Sequence, residues 1–271
     1  MKYPVLLPNI FDHPFTYESK IKLKIGDYVK VPFGNKNLTG VIWNSFEDKN
    51  KKNFKLRTII EKIEIDPLKI KTINFLNWFS NYNIVPLGMS LKLHLINNYN
   101  YKIKSELDFL KYNQQFKKER YKLSLEQNKA LEQLIKVDNL FRVHLLQGTT
   151  GSGKTLVYFK AIEKIINNDF QALILLPEIG LTGEFEKKFK AFFGFEAAVW
   201  HSRVTPKRKK IIWHGLLNGK IKVVIGARSA LFLPFKNLGS ITVDEEHDQS
   251  YKQDEGITSV SYTHLRAHET V

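Results

Sequence analysis

Short runs that alternate between apolar and polar residues fill the first quarter of the chain. YVKVPFG (28–34) and GVIWNSF (40–46) change side with almost every residue, the period of a half-buried strand. Gly26-Asp27 and Asn35-Lys36-Asn37 supply turn chemistry between such runs. The pattern predicts a small β-rich domain over residues 1–64. From Pro67 the period lengthens: Ile70, Ile73, Phe75, Leu76, Trp78 and Phe79 fall at helical spacing. Val85-Pro86-Leu87-Gly88 reads as a turn, and Leu91–Ile96 as a second apolar stretch. Together they suit a compact, winged-helix-like helical module over 65–110, with a plain helical spacer as the competing reading. Asn97–Lys122 is rich in Tyr, Lys, Asn and Gln, and its last part, 111–122, is expected to be a linker.

From Leu123 onward the pattern becomes an alternation of strands and helices. HLLQ (144–147), ALILLP (172–177), AAVWHS (197–202), KVVIGA (222–227) and SITVDEE (240–246) are nearly continuous apolar runs. Strands buried on both faces of a parallel sheet read this way. Helix-period segments lie between them, near 154–167, 180–193 and 206–218. The expectation is an α/β, RecA-like P-loop lobe with a parallel sheet over 123–257. The chain as a whole is then multidomain.

Gly148-Thr149-Thr150-Gly151-Ser152-Gly153-Lys154-Thr155 satisfies G-x-x-x-x-G-K-[ST] between a predicted strand and a predicted helix. Glycines let the backbone curl its N–H groups toward phosphates, and the helix N-terminus adds a favourable dipole. Lys154 is expected on the β- and γ-phosphates of ATP, and the Thr155 hydroxyl on Mg²⁺. Further on, a buried strand ends in Asp244-Glu245-Glu246-His247, at the edge where an open α/β sheet places its ligand. Asp244 would hold the magnesium through its water shell, and Glu245 would polarise the water that attacks the γ-phosphate. His247 either relays nucleotide state to a nucleic-acid face or caps a turn. The Gln127 side-chain amide can pair with adenine. Ser124 with Gln127 also fits a capping box, and the two roles are compatible. Thr182, Arg228 and Ser229 follow predicted strands on the same edge, where they could contact a nucleic-acid backbone.

The formal charge of +15 adds a polyanionic partner to this picture. Abundant Lys, Asn and Ile also fit A/T-rich codons, and composition alone does not separate the two. Hydrophobic content of 43% is ample for packed cores. With no cysteine, disulfides and thiolate metal sites are excluded. The start MKYPVLLPNI has no signal-peptide pattern, and no apolar run approaches the roughly 20 residues that span a bilayer. A cytoplasmic protein without a membrane partner is expected.

GTTGSGKT (148–155), LLPEIGLT (175–182), HS (201–202), VVIGARSALFLPF (223–235) and VDEEHDQSYKQDEG (243–256), in this order, resemble the superfamily 2 DNA helicases. More narrowly, the set resembles the primosomal protein N′ family of replication-restart helicases. IGDYVKVPFGNKNLTGVIW (25–43) looks like that family's domain for the 3′ end of a nascent strand, and LNWFSNYNIVPLGMSLKLHL (76–95) like the start of its winged-helix region. The resemblance implies an ATP-dependent 3′-to-5′ DNA helicase that acts in replication restart at stalled forks. Its partners would be forked and single-stranded DNA, primosome proteins and single-stranded-DNA-binding protein. DNA contacts are implied for Phe15, Thr16, Tyr17, Gly34 and Lys36. The family has Phe-Asp-Tyr where this chain has Phe15-Thr16-Tyr17, so an aspartate's role does not carry over to Thr16.

The same resemblance implies an N-terminal fragment. The family continues with a cysteine-rich zinc module, a second motor lobe and a C-terminal domain, so zinc is expected beyond these residues and no zinc site within them. The second lobe would supply an arginine worth about 10³–10⁵ in rate. The fragment alone is therefore expected to bind ATP weakly and hydrolyse it poorly. Residues 258–271 depart from the family pattern and are expected to be a non-native tail. His264 and His268 there have helical metal-pair spacing but no third ligand. Two rival readings are another superfamily 2 helicase, for repair or RNA remodelling, and a non-catalytic fork-binding module.

Overall fold

Val29 and Val31 are buried on one side of a strand, as the period-two run predicts. In the computed structural model, which describes residues 1–44, 56–96, 109, 112, 117–119, 121–135, 141–177, 180 and 182–251, that strand belongs to a five-stranded antiparallel sheet. Its members are β1 (Lys2–Leu6), β2 (Phe15–Glu18), β3 (Tyr28–Phe33), β4 (Lys36–Ile42) and β5 (Glu61–Lys62), in the order β2-β1-β4-β3-β5. Glu18 N–H donates to Arg57 O at 3.0 Å and Ile59 N–H to Glu18 O at 2.8 Å. These bonds tie the β2 edge to the chain that leads into the β5 edge, which curls the sheet toward a small barrel. Val5, Leu7, Tyr17, Leu23, Ile42 and Ile59 fill its inside with the two valines.

The β3–β4 turn is Gly34-Asn35, one residue earlier than expected: Lys36 pairs with Phe33 and Asn37 with Pro32. The cause is Gly34, whose φ of +59° is the left-handed conformation that a two-residue hairpin reserves for glycine. Tyr28 is buried on the opposite face of β3 from the valines. Its hydroxyl meets Nε2 of His94 at 2.9 Å, and Trp43 Nε1–H donates to Asn77 Oδ1 at 3.3 Å. These contacts seat α1 (Ile70–Asn83) and α2 (Leu87–His94) on the sheet. Gly88 permits the approach, since a Cβ there would lie 2.5 Å from Leu7 O and Asn9 O. Strands and helices thus form one compact unit, Met1–Tyr101, and the expected boundary at residues 64/65 falls inside it.

The second compact unit is Lys102–Tyr251. Its sheet comprises β6 (Gln171–Leu175), β7 (Ala198–Trp200), β8 (Val223–Gly226) and β9 (Leu238–Val243), all parallel, in the order β7-β8-β6-β9. β6 is buried at every residue, as a strand covered on both faces must be. Ala172, Ile174, Val223 and Ile225 pack in one cluster with Tyr158, Phe159 and Ile162 of α4 (Lys154–Asn167) and Phe189, Phe192 and Phe193 of α5 (Gly183–Phe193). Leu173, Leu175 and Val224 alternate to the other face and are equally buried, as are Ile212, Trp213 and Leu216 of α6 (Pro206–Leu217). α3 (Leu125–Leu134) precedes this core.

One expected strand is absent: residues 144–147 are irregular, and Leu145 is 79% exposed. A short apolar run records a capacity for burial, not a pairing partner. β9 is an edge strand of the sheet and only half-buried, and among the described residues none pairs with its outer side. The glycine-rich loop is therefore reached from extended, exposed chain. Among the described residues no helix is long and apolar enough to cross a membrane. Residues 258–271 with His264 and His268, half of the 111–122 linker, and Glu178, Ile179 and Leu181 lie outside the described residues.

Gln171 joins three connections below the sheet. Its buried Nε2 donates to Leu216 O at 3.1 Å and Ile221 O at 2.7 Å, and its Oε1 accepts from Asn237 N–H at 2.8 Å. Gln171→Leu removes every partner at once. We expect it to destabilise the second unit by about 3 kcal/mol, the cost of unpaired buried groups. Urea unfolding followed by amide exchange in β6 and β8 measures this, and an unchanged midpoint contradicts the clamp.

Candidate functional site

The direction of α4 fixes where the glycine-rich loop sits. α4 returns through Asn168–Phe170 directly into β6, so it runs antiparallel to that strand. Its N-terminus, with Gly148–Thr155, therefore lies at the C-terminal edge of the sheet. Gly151 and Gly153 have φ of +80° and +82°, conformations closed to other residues at little cost. Ser152 N–H closes the loop on Thr149 O at 3.2 Å. Lys154 Nζ donates to Gly148 O at 2.6 Å and to Thr149 O at 3.0 Å, so the ammonium lies across the loop. A phosphate would take it from these carbonyls.

Gln127 performs the cap and reaches further. Its N–H donates to Ser124 Oγ at 3.2 Å, and its Oε1 accepts from Ser124 N–H at 2.9 Å, completing the capping box. Its Nε2 also donates to Ser152 O at 2.9 Å. A Cβ at Gly153 would lie 2.5 Å from that same nitrogen, so glycine is required for the contact. The side-chain amide thus joins α3 to the loop and retains one donor and one acceptor position for a base.

At the end of β9, Asp244 N–H donates to Leu175 O at 3.0 Å, which seats the first carboxylate beside the end of β6. Asp244 Oδ1 accepts from Glu245 N–H at 3.0 Å, and Oδ2 accepts from the Tyr158 hydroxyl of α4 at 2.8 Å. Burial, reinforced by the Asp244 charge, pushes the Tyr158 phenol well above its ordinary range, so it stays a donor. The phosphate-loop helix and the carboxylate strand end are thereby brought together through a residue that no motif had singled out. Tyr251 is a second such residue: its buried hydroxyl donates to Leu175 O at 3.0 Å and Asp244 O at 2.6 Å. Glu245 and His247 are exposed beyond it. Glu245 adopts φ +50°, a conformation that costs a non-glycine residue about 1 kcal/mol. Its carbonyl oxygen is held by Asp248 N–H at 2.9 Å.

Among the described residues no three His, Cys, Asp or Glu side chains gather around a common metal position. The single Asp244 carboxylate, held by Tyr158 and by Glu245 N–H, fits Mg²⁺ bound with a nucleotide, because this ion takes one or two carboxylates and completes its shell with phosphates and water. Asp244 and Thr155 would hold it, and the ion would neutralise charge on the γ-phosphate.

The expected nucleic-acid residues fall in both units. All strands of the second sheet are parallel, so Thr182 after β6, Arg228 and Ser229 after β8, and Asp244 after β9 share one edge. The Thr182 side chain makes no capping bond to α5. Arg228 has a buried Nη1 with no hydrogen-bond partner. In the first unit the ring of Phe15 lies 5.3 Å from Phe33, and the Tyr17 hydroxyl donates to Pro32 O at 3.0 Å. These contacts put both residues beside the Gly34 turn, and Lys36 is exposed just after it. Thr16 alternates to the other face of β2, half-buried and opposite Pro4. Arg57, unremarked in the sequence, donates to Gly34 O at 3.2 Å and adds a cation to this group. Phe11 and His13 extend the rings outward, with Phe11 5.3 Å and His13 5.0 Å from Phe15.

Comparisons with known proteins agree with this division. The model of the PriA 3′DNA-binding domain matches residues 4–96, and that of the DEAD/DEAH box helicases matches residues 124–270. Replication restart protein PriA of Rickettsia conorii (strain ATCC VR-613 / Malish 7) is 41% identical over 259 residues, covering 93% of this chain and 38% of the relative. PriA of Helicobacter pylori (strain ATCC 700392 / 26695) is 36% identical over 250 residues, covering 88% of this chain and 36% of the relative. PriA of Haemophilus influenzae (strain ATCC 51907 / DSM 11121 / KW20 / Rd) is 46% identical over 134 residues, 49% of this chain and 18% of the relative. Among solved structures, RecG bound to a three-way DNA junction aligns with a TM-score of 0.43 at 25% identity, covering 70% of this chain and 25% of that one. The chain spans well under half the length of these curated relatives. It belongs to the DEAD/DEAH box helicase family and, within it, is a homologue of replication restart protein PriA.

Proposed function

We propose that the chain is the DNA-end-binding and first motor part of an ATP-dependent 3′-to-5′ DNA helicase that restarts replication at stalled forks. The observation that carries the motor half is the Tyr158–Asp244 hydrogen bond, which joins the helix of the phosphate loop to the carboxylate that would share its magnesium. In this reading Lys154 and the loop N–H groups hold the β- and γ-phosphates, Gln127 meets the adenine, and Glu245 orients the attacking water. His247, exposed beside Asp244, passes nucleotide state to the DNA-contacting loops. Zinc, the second motor lobe, primosome proteins and single-stranded-DNA-binding protein belong to the remainder of the intact, cytoplasmic enzyme. The α1–α2 pair represents its winged-helix module.

The DNA half rests on shape and charge. Phe15, with the exposed rings of Phe11 and His13, and the Gly34 turn with Arg57 offer rings and a cation to a strand end, whereas the Tyr17 ring is buried in the core and supports them from beneath. No acidic residue lies between Glu196 and Asp244, whereas Arg203, Lys207, Arg208, Lys209 and Lys210 crowd the β7–α6 connection and the first turns of α6. β7 ends at the same sheet edge as Arg228, so these cations stand where a backbone would run.

Lys154→Ala should abolish magnesium–ATP binding while fork affinity stays within about twofold, because a single phosphate-loop cation contributes little to DNA contacts elsewhere. Calorimetry reads the first effect and fluorescence anisotropy the second; normal ATP binding by the variant would overturn the phosphate site. A forked DNA should bind more tightly than a duplex of equal length, and Arg203→Glu with Lys207→Glu should lower the salt slope by about 2. Equal affinity for fork and duplex at several salt concentrations would defeat the restart assignment.

A further inference from the structure

Tyr158 stands where two requirements of a nucleotide site meet. It follows Thr155 by three residues on α4, so the two side chains leave the same helix face. Its hydroxyl donates to Asp244 Oδ2 at 2.8 Å, so the helix that begins with Lys154 and Thr155 is tied to the end of β9. Tyr158 is 6% exposed, which leaves little room for water to replace the phenol. The other carboxylate oxygen accepts Glu245 N–H at 3.0 Å, so Asp244 is held from both sides. Each carboxylate oxygen accepts more than one hydrogen bond, and Asp244 is only half-buried, which leaves acceptor positions for a metal's water shell.

We propose that Tyr158 is a positioning residue that sets the Asp244 carboxylate for a magnesium ion bound with nucleotide at Thr155. The inference rests on the nucleotide-site reading above and adds a requirement to it. Partners in a metal's outer sphere orient its ligands, and their loss typically weakens metal binding about 10- to 100-fold. Tyr158 has the geometry of such a partner. It is an aromatic core side chain toward Phe159, at a ring separation of 5.2 Å, and a donor at its tip. Phenylalanine keeps the first role and removes the second, which makes Tyr158→Phe the informative substitution.

The test uses the full 271-residue chain, a fluorescent ATP analogue, and magnesium titrated from a chelated start. Tyr158→Phe should keep the metal-free nucleotide affinity of the parent and need about tenfold more magnesium for the same metal-dependent gain. Manganese EPR in the presence of nucleotide should show the same weakening directly. In an Asp244→Asn background the substitution should add little, because both changes act through one carboxylate. Unchanged magnesium dependence would overturn the proposal. So would an equal loss of metal-free and metal-dependent affinity, the outcome of a purely structural tyrosine. A parent chain that binds no nucleotide would overturn the underlying site and the proposal with it.

Discussion

Burial of β6 on both faces is the constraint from which the second unit follows. β6 hides every side chain from an inner position, with β8 and β9 as its neighbours, and helices must cover both of its faces. Helical crossovers between strands make those neighbours parallel. Parallel strands then deliver every following loop to one edge. Thr182, Arg228, Ser229 and Asp244 are gathered by this single topological consequence, and α4, antiparallel to β6, brings the phosphate loop to the same edge. Hydrophobic burial therefore places the chemistry without touching it.

Polar ties then refine what burial places only coarsely. Gln127 joins its own cap to the loop through Ser152 O, and Tyr158 joins the loop helix to Asp244. Tyr251 fixes the turn after β9 against two backbone carbonyls. Each tie is a side-chain donor satisfied at a particular distance, and each limits movement where phosphate and metal would bind. By contrast the side chains of Glu245 and His247 are exposed from the tied turn, and Lys154 lies on loop carbonyls that a phosphate would replace. The site combines a fixed frame with groups able to move.

Much of this was legible in the chain. Period two located β3 and the end of β4, nearly continuous apolar runs located β6 to β9, and the 3.6 period located α4 to α6 within a few residues, because burial is written directly into those patterns. The glycine-rich loop and the acidic strand end were legible for a different reason: their chemistry tolerates few substitutes. The run at 144–147 misled, since two leucines between a histidine and a glutamine state nothing about a pairing partner. Tyr158, Tyr251 and Arg57 were missed because a tyrosine in an amphipathic helix looks like core, and an arginine in a loop looks like surface. Their roles depend on partners 86, 76 and 23 residues away, distances at which sequence pattern is silent. Thr16 shows the converse. Its neighbours Phe15 and Tyr17 face the turn at Gly34, and strand alternation alone turns Thr16 away.

The central claim is that residues 148–155 and the segment after β9 form one nucleotide–magnesium site. Hydrogen–deuterium exchange on the intact chain, with ATP alone and with ATP plus magnesium, tests it most directly. The account predicts that ATP slows exchange in 148–157 and that magnesium extends the protection to 243–251, leaving 1–44 unchanged. Protection of 148–157 that never reaches 243–251, or none at either segment, would contradict it.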